Sequence, residues 1–196
     1  MLGIGNILRR DEGIGVRALE AFQAAFILPN GVKCVDGGVA GLNLLPVIAG
    51  FDRLIIIDAL ATGAPPGTIS RLAWADVKDA PGLGGSAHRI GIKELLALAE
   101  FEGSCPAAII IGTPPADISP GERMTDLIEG AVPAIVEAIR RELERSGFKL
   151  EKRRHDARGT SDADDSGGNK KGTARDERAK AHDRNVKTRR GKRGKA

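Results

Sequence analysis

Three side chains of this 196-residue chain stand where they could do chemistry together: Glu12, Asp58 and His88. Glu12 lies in "GIGNILRRDEGIG", a glycine-punctuated stretch between an apolar start and a helical pattern. Asp58 follows directly on the unbroken apolar run "LIII", and His88 precedes "GIKELLALAEF". The other two histidines, His155 and His182, fall in a polar C-terminal stretch. Any imidazole–metal bond or neutral-pH proton transfer within the folded part must therefore use His88. Two carboxylates and one imidazole suit a divalent ion that keeps positions open for water or substrate. Zinc and nickel both accept such mixed oxygen and nitrogen ligands. Held there, the ion could polarise a carbonyl and activate water for hydrolysis.

Each residue also has a plainer reading. Acids in the first turn of a helix are favoured by its dipole, and Asp11 reads as an N-cap. Asp58 could accept hydrogen bonds from loop amides, and a loop histidine can be simple surface polarity. The same glycines also invite a nucleotide reading, in which the chain is a non-enzymatic nucleotide- or metal-binding domain. A dinucleotide fingerprint wants G-x-G-x-x-G, but Leu8 occupies the third glycine's place. Asp11 and Glu12 would moreover put negative charge where a pyrophosphate docks. Asp36, after the second strand, does resemble a ribose-binding acid. No G-x-S-x-G elbow is present, and Cys34 and Cys105 read as structural.

The elements that must position these residues alternate between strand and helix. Met1 to Ile4 leave room for only a short first strand, so either it is short or the chain starts upstream of this Met1. A helix is expected over Glu12 to Phe26, a strand in "GVKCVDGG", and a short helix in "GLNLLPVIAG" delimited or kinked by Pro46. "RLIIIDAL" is continuous in hydrophobicity, which predicts a strand covered on both faces. "GTISRLA" reads as an edge strand, "KDAPGLGGSAH" as loop, "GIKELLALAEF" as helix and "AAIIIG" as a second buried strand. A proline-rich loop, "TPPADISPG", precedes one long helix over residues 122–147, interrupted near Pro133 and stopped by Gly147. The expected fold is a three-layer α/β/α sandwich, with a mostly parallel sheet of about five strands and helices on both faces. Its ligand site belongs beyond the carboxyl ends of the strands.

Charge divides the chain. Residues 151–196 hold 16 Lys/Arg against 8 Asp/Glu, with Val186 their only large aliphatic side chain. That leaves 14 Lys/Arg and 18 Asp/Glu for residues 1–150, so a mildly acidic domain carries a basic appendage. We expect a folded domain over 1–148 and a disordered basic tail over 149–196, too poor in apolar surface to offset its ordering entropy. The tail could attract nucleic acid, but only non-specifically and without aromatics for stacking. Two isolated cysteines, no apolar run of about 20 residues and no leader together predict a cytoplasmic protein without membrane contact.

Five segments occur in order: "LGIGNILRRDEGIGVRALE", "VDGGVAGLNLLP", "DRLIIIDALATGAPPGTISRL", "SAHRIGIKELLALA" and "IIIGTPPADISPG". They resemble the [NiFe]-hydrogenase maturation endopeptidases over residues 2 to about 147. The resemblance implies that Glu12, Asp58 and His88 bind the metal. It implies nickel, supplied by the substrate, with zinc as an alternative in isolation. It further implies a substrate, the nickel-loaded precursor of the hydrogenase large subunit, from which a C-terminal extension is removed. The turn Asp36, Gly37 and Gly38 becomes a candidate for substrate recognition beside its reading as a tight turn. Asp117 stands where the family pattern leads one to expect glutamate, which bears on substrate contact rather than on the metal trio.

Overall fold

The computed structural model describes residues 1–78 and 91–153, so His88 and most of the basic segment lie outside the described residues. In chain order the elements are β1 (Leu2–Ile4), α1 (Ile14–Ala25), β2 (Phe26–Ile27), β3 (Val35–Gly38) and α2 (Leu45–Ile48). There follow β4 (Arg53–Ala59), β5 (Ser70–Ala73), α3 (Trp74–Val77), α4 (Ile92–Phe101) and β6 (Ala107–Thr113). The last are α5 (Asp126–Glu129), α6 (Val132–Arg145) and β7 (Glu151–Lys152).

Five strands form one sheet in the order β3-β1-β4-β6-β5, parallel except for β5, which runs antiparallel to β6 at the edge. Period-two alternation along β4 explains its unbroken apolar run. Leu54 and Ile56 join a core with Leu44, Ile48, Leu95 and Leu96, supplied by the α2 and α4 side. Ile55 and Ile57 join a second core with Ile14, Phe22, Ile135 and Ile139, from α1 and α6. Helices therefore cover both faces, as the sequence predicts. Among the described residues, no helix is long and apolar enough to cross a membrane.

Several local expectations change. The helix predicted from Glu12 begins instead as a 3-10 turn over Arg10–Gly13, with α1 proper starting at Ile14. The long helix is two elements: α5 ends at Glu129, and Pro133 lies in the first turn of α6. That position costs nothing, because the first helical N–H groups have no intrahelical acceptor. Pro46 likewise starts α2. The folded chain also continues past residue 148. Glu151–Lys152 pair antiparallel with Phe26–Ile27, while Phe148 and Leu150 pack on the α1/α6 core.

The edge strand is fastened by charge. Arg71 of β5 donates from Nε and Nη2 to the buried Glu142 of α6 at 2.7 and 3.1 Å, and Arg145 adds a contact at 3.2 Å. The hydrogen bonds from Arg71 hold the Glu142 carboxyl below its ordinary range, against the opposing effect of burial. A carboxyl depressed on folding adds stability above its unfolded pKa of about 4.3, and that stability is lost as pH falls through the folded value. Because Arg71 is part-exposed, solvent screening limits the gain. Glu142→Gln should cost about 1–2 kcal/mol at neutral pH and nearly nothing in acid. Urea unfolding at both pH values reads this directly, and an equal penalty at each would contradict it.

Candidate active site

The strand order fixes where a crevice must open. The chain leaves β1 towards β3 by way of α1, whereas after β4 it runs to the far edge strand β5 and then returns through α4 to β6, all on the other side. β1 and β4 are neighbours whose connections diverge, and ligands of open α/β sheets bind at such a switch point. Glu12 follows β1, and Asp58 is the penultimate residue of β4.

Glycine makes the approach close enough. A Cβ on Gly15, in the first turn of α1, would lie 2.1 Å from the Ile4 carbonyl oxygen and 2.2 Å from that of Ile57. Only a residue without a side chain lets this turn rest on the ends of both strands at once. Gly5 has φ +139, and a Cβ there would meet the Glu12 carbonyl oxygen at 1.9 Å. The 3-10 turn bearing Glu12 is thereby pressed against β4.

Both carboxylates are nearly out of water, Glu12 at 3% and Asp58 at 1% exposure. Arg9 Nε lies 3.3 Å from Glu12 Oε2. Asp58 Oδ1 accepts the Ala59 N–H at 2.7 Å, while its Oδ2 is buried with no hydrogen-bond donor among the described residues. Burial pushes the Asp58 carboxyl well above the usual range. The Ala59 N–H opposes the shift, and the charge of Glu12 adds to it. A buried acid with an oxygen left over, next to a second acid, is the environment that a cation relieves. The donor chemistry thus fits a divalent ion. Among the described residues, no group of three or more His, Cys, Asp or Glu forms a metal site. His88, the third expected ligand, is not among them.

The remaining candidates fall on the same rim with local work of their own. Asp36 Oδ1 accepts the Gly38 N–H at 2.9 Å, and the Gly38 carbonyl accepts the Gly5 N–H at 3.0 Å, so the "DGG" turn abuts the first loop. Gly37 packs under Leu2 and Leu44. Asp117 accepts the Ser119 N–H at 2.8 Å and pairs with Arg10 at 3.3 Å, the Ser119 hydrogen bonds being the main reason its carboxyl is lowered. Two cavities lined in part by Arg53, Leu54 and Ile55 include neither Glu12 nor Asp58.

Asp11 is the residue that sequence reasoning misplaced. Instead of capping α1, it is fully buried and collects four hydrogen bonds from the loop after β6. Ala116 N–H and Asp117 N–H reach Oδ2 at 2.9 Å each, the Thr125 hydroxyl reaches Oδ2 at 3.0 Å, and Thr125 N–H reaches Oδ1 at 2.7 Å. Its donors lie more than a hundred residues away, and no local pattern signals them. The nucleotide reading gains nothing here, because buried acids occupy the turn where a phosphate would sit.

Known proteins resemble the chain over most of its described part. Residues 16–142 match the family model described as hydrogenase maturation protease. The hydrogenase expression/formation protein HupD of Rhizobium leguminosarum bv. viciae is 39% identical over 153 residues, covering 76% of each chain. The hydrogenase 2 maturation protease of Escherichia coli K12 is 35% identical over 151 residues, covering 76% of this chain and 92% of that one. Among solved structures, the hydrogenase maturating endopeptidase HybD from E. coli superposes with a TM-score of 0.72 at 35% identity, covering 78% of this chain and 95% of its own. With that match over residues 16–142 and relatives at 35–39% identity, the chain belongs to the hydrogenase maturation protease family.

Proposed function

We propose that this protease removes a C-terminal extension from the nickel-loaded precursor of a [NiFe]-hydrogenase large subunit, in the cytoplasm. Glu12, Asp58 and His88 hold the nickel that the precursor carries. The observation that most supports this reading is the pairing of two buried carboxylates, one with an oxygen left without a donor among the described residues. Sequence position supports including His88. Asp58 continues the Leu54 and Ile56 alternation towards the side covered by α4, and α4 begins at Ile92, shortly after His88 in sequence.

A divalent ion held there would supply a Lewis acid for a carbonyl and a lowered pKa for bound water. The chain's own contribution is positional. Two carboxylates on rigid strand and helix ends offer negative oxygen donors, and a neutral imidazole offers nitrogen. The "DGG" turn and Asp117, on the same rim, are proposed to contact the precursor polypeptide. Such a site makes metal loading a checkpoint, since a precursor without nickel gives the trio nothing to grip. The basic segment from residue 154 onward is proposed to be dispensable for cleavage.

Purified protein mixed with nickel-loaded and nickel-free precursor, followed by the size shift, tests the reading. Processing should require nickel, be abolished in His88→Ala and survive removal of residues 154–196. Equal processing of both precursors would sink the checkpoint, and unimpaired cleavage by His88→Ala would sink the site.

The same site makes a stability prediction. A carboxyl raised on folding contributes stability below its unfolded pKa of about 4, and loses it as pH rises through the folded value. In metal-free protein at neutral pH, Asp58 is therefore a burden. Asp58→Asn keeps the acceptor for Ala59 N–H and removes the charge. Its metal-free melting temperature should rise by about 3 °C or more, with little dependence on pH across the neutral range. Added nickel should then stabilise it no further. A lower melting temperature than that of the parent would contradict the assignment.

A further inference from the structure

The hydrogen bonds around Asp11 do more than close a loop. The residues from Leu8 to Asp11 are stitched along their length to the segment 117–121. Gly121 N–H donates to the Leu8 carbonyl at 2.8 Å, Arg10 N–H to the Gly121 carbonyl at 2.8 Å, and Asp11 N–H to the Asp117 carbonyl at 3.1 Å. Arg9 Nε adds a bond to the Ile118 carbonyl at 3.1 Å. Arg10 has φ +44, a left-handed conformation unfavourable for a residue with a side chain, and these bonds hold it there. The Asp11 carboxylate is the only buried charge in this seam among the described residues, and it has four donors. Thr125 extends the connection, because its hydroxyl donates to Asp11 and accepts the Ile128 N–H at 3.4 Å, capping α5.

Glu12 is the next residue along. Its backbone N–H bonds to the Arg9 carbonyl at 3.0 Å, inside the same turn. The turn carrying Glu12 is thus braced on one side by the strand ends under Gly5 and Gly15, and on the other by the loop that Asp11 grips. We infer that Asp11 is a positioning residue: with Thr125 it locks the turn and so sets where the Glu12 carboxylate faces Asp58. This rests on the metal reading of Glu12 and Asp58. A carboxylate held without freedom binds an ion better than one that must first be ordered, and the loss of such outer supports typically weakens metal affinity about 10–100-fold.

The chemistry of the clasp dictates the variants. In Asp11→Asn, the amide group must face either the Ala116 and Asp117 N–H groups or the Thr125 N–H, so donor meets donor in either orientation. Thr125→Val keeps the shape and the backbone bond but loses the hydroxyl, whereas Thr125→Ser keeps the hydroxyl. Ile139→Val, in the core between α1 and α6 and outside the hydrogen-bonded seam, serves as a variant weakened elsewhere. The experiment measures affinity for nickel ion alone by calorimetry on the full chain, at a temperature where circular dichroism shows every variant folded.

The parent should bind nickel, Asp11→Asn about tenfold or more weakly, and Thr125→Val between the two. Thr125→Ser and Ile139→Val should match the parent. Unchanged affinity in Asp11→Asn would overturn the positioning role while leaving the metal site standing. The role would equally fall if Ile139→Val, matched in melting temperature, lost as much affinity as Asp11→Asn. A parent chain that binds no nickel would overturn the metal reading and, with it, the role of Asp11.

Discussion

Two carboxylates are kept out of water at the point where β1 and β4 part, and the surrounding structure is organised around holding them there. Burying one ionised carboxylate is costly, and a second beside it adds repulsion. Asp58 bears this cost most visibly, being almost inaccessible and pushed towards its neutral form. Unsupported, such a pair would rotate out to solvent. Asp58 cannot, because β4 lies between two cores and pairs along its whole length with β6. Glu12 cannot readily do so, because its turn is caught between the strand ends and the loop after β6.

The glycines of the opening motif acquire a physical meaning from this constraint. They resemble a phosphate cradle, yet the space a cradle would leave is filled by the chain itself. Gly15 brings α1 onto the carbonyls of Ile4 and Ile57, and Gly5 brings β1 against the Glu12 backbone. Close packing places an acid, where nucleotide folds place an anion. The two uses share a strand-to-helix turn and differ in the sign of the charge they seek.

Much of this was legible in the sequence because it depends on local pattern. The "LIII" run implied a strand covered on both faces, and it is one. Glu12 and Asp58 stand out in the sequence by their places in the loop after β1 and at the end of β4, and both side chains are buried. What sequence could not show depends on long-range contact. Asp11 read as an N-cap because an acid before a helix usually is one. Its actual donors, Ala116, Asp117 and Thr125, are brought near only by folding. The pairing of Glu151–Lys152 with Phe26–Ile27 is invisible in the sequence for the same reason, since two-residue strands carry no periodicity. Pro133 reads as an interruption in the sequence because its effect depends on where the helix starts.

The central claim is that Glu12, Asp58 and His88 together form one metal-binding centre. Locating nickel by anomalous diffraction in crystals of the purified protein tests it most directly. A single strong peak is expected at the switch point, with Glu12 and Asp58 oxygens and a His88 imidazole nitrogen at about 2.0–2.2 Å. A peak elsewhere in the chain, with Glu12 and Asp58 left unliganded, would contradict it.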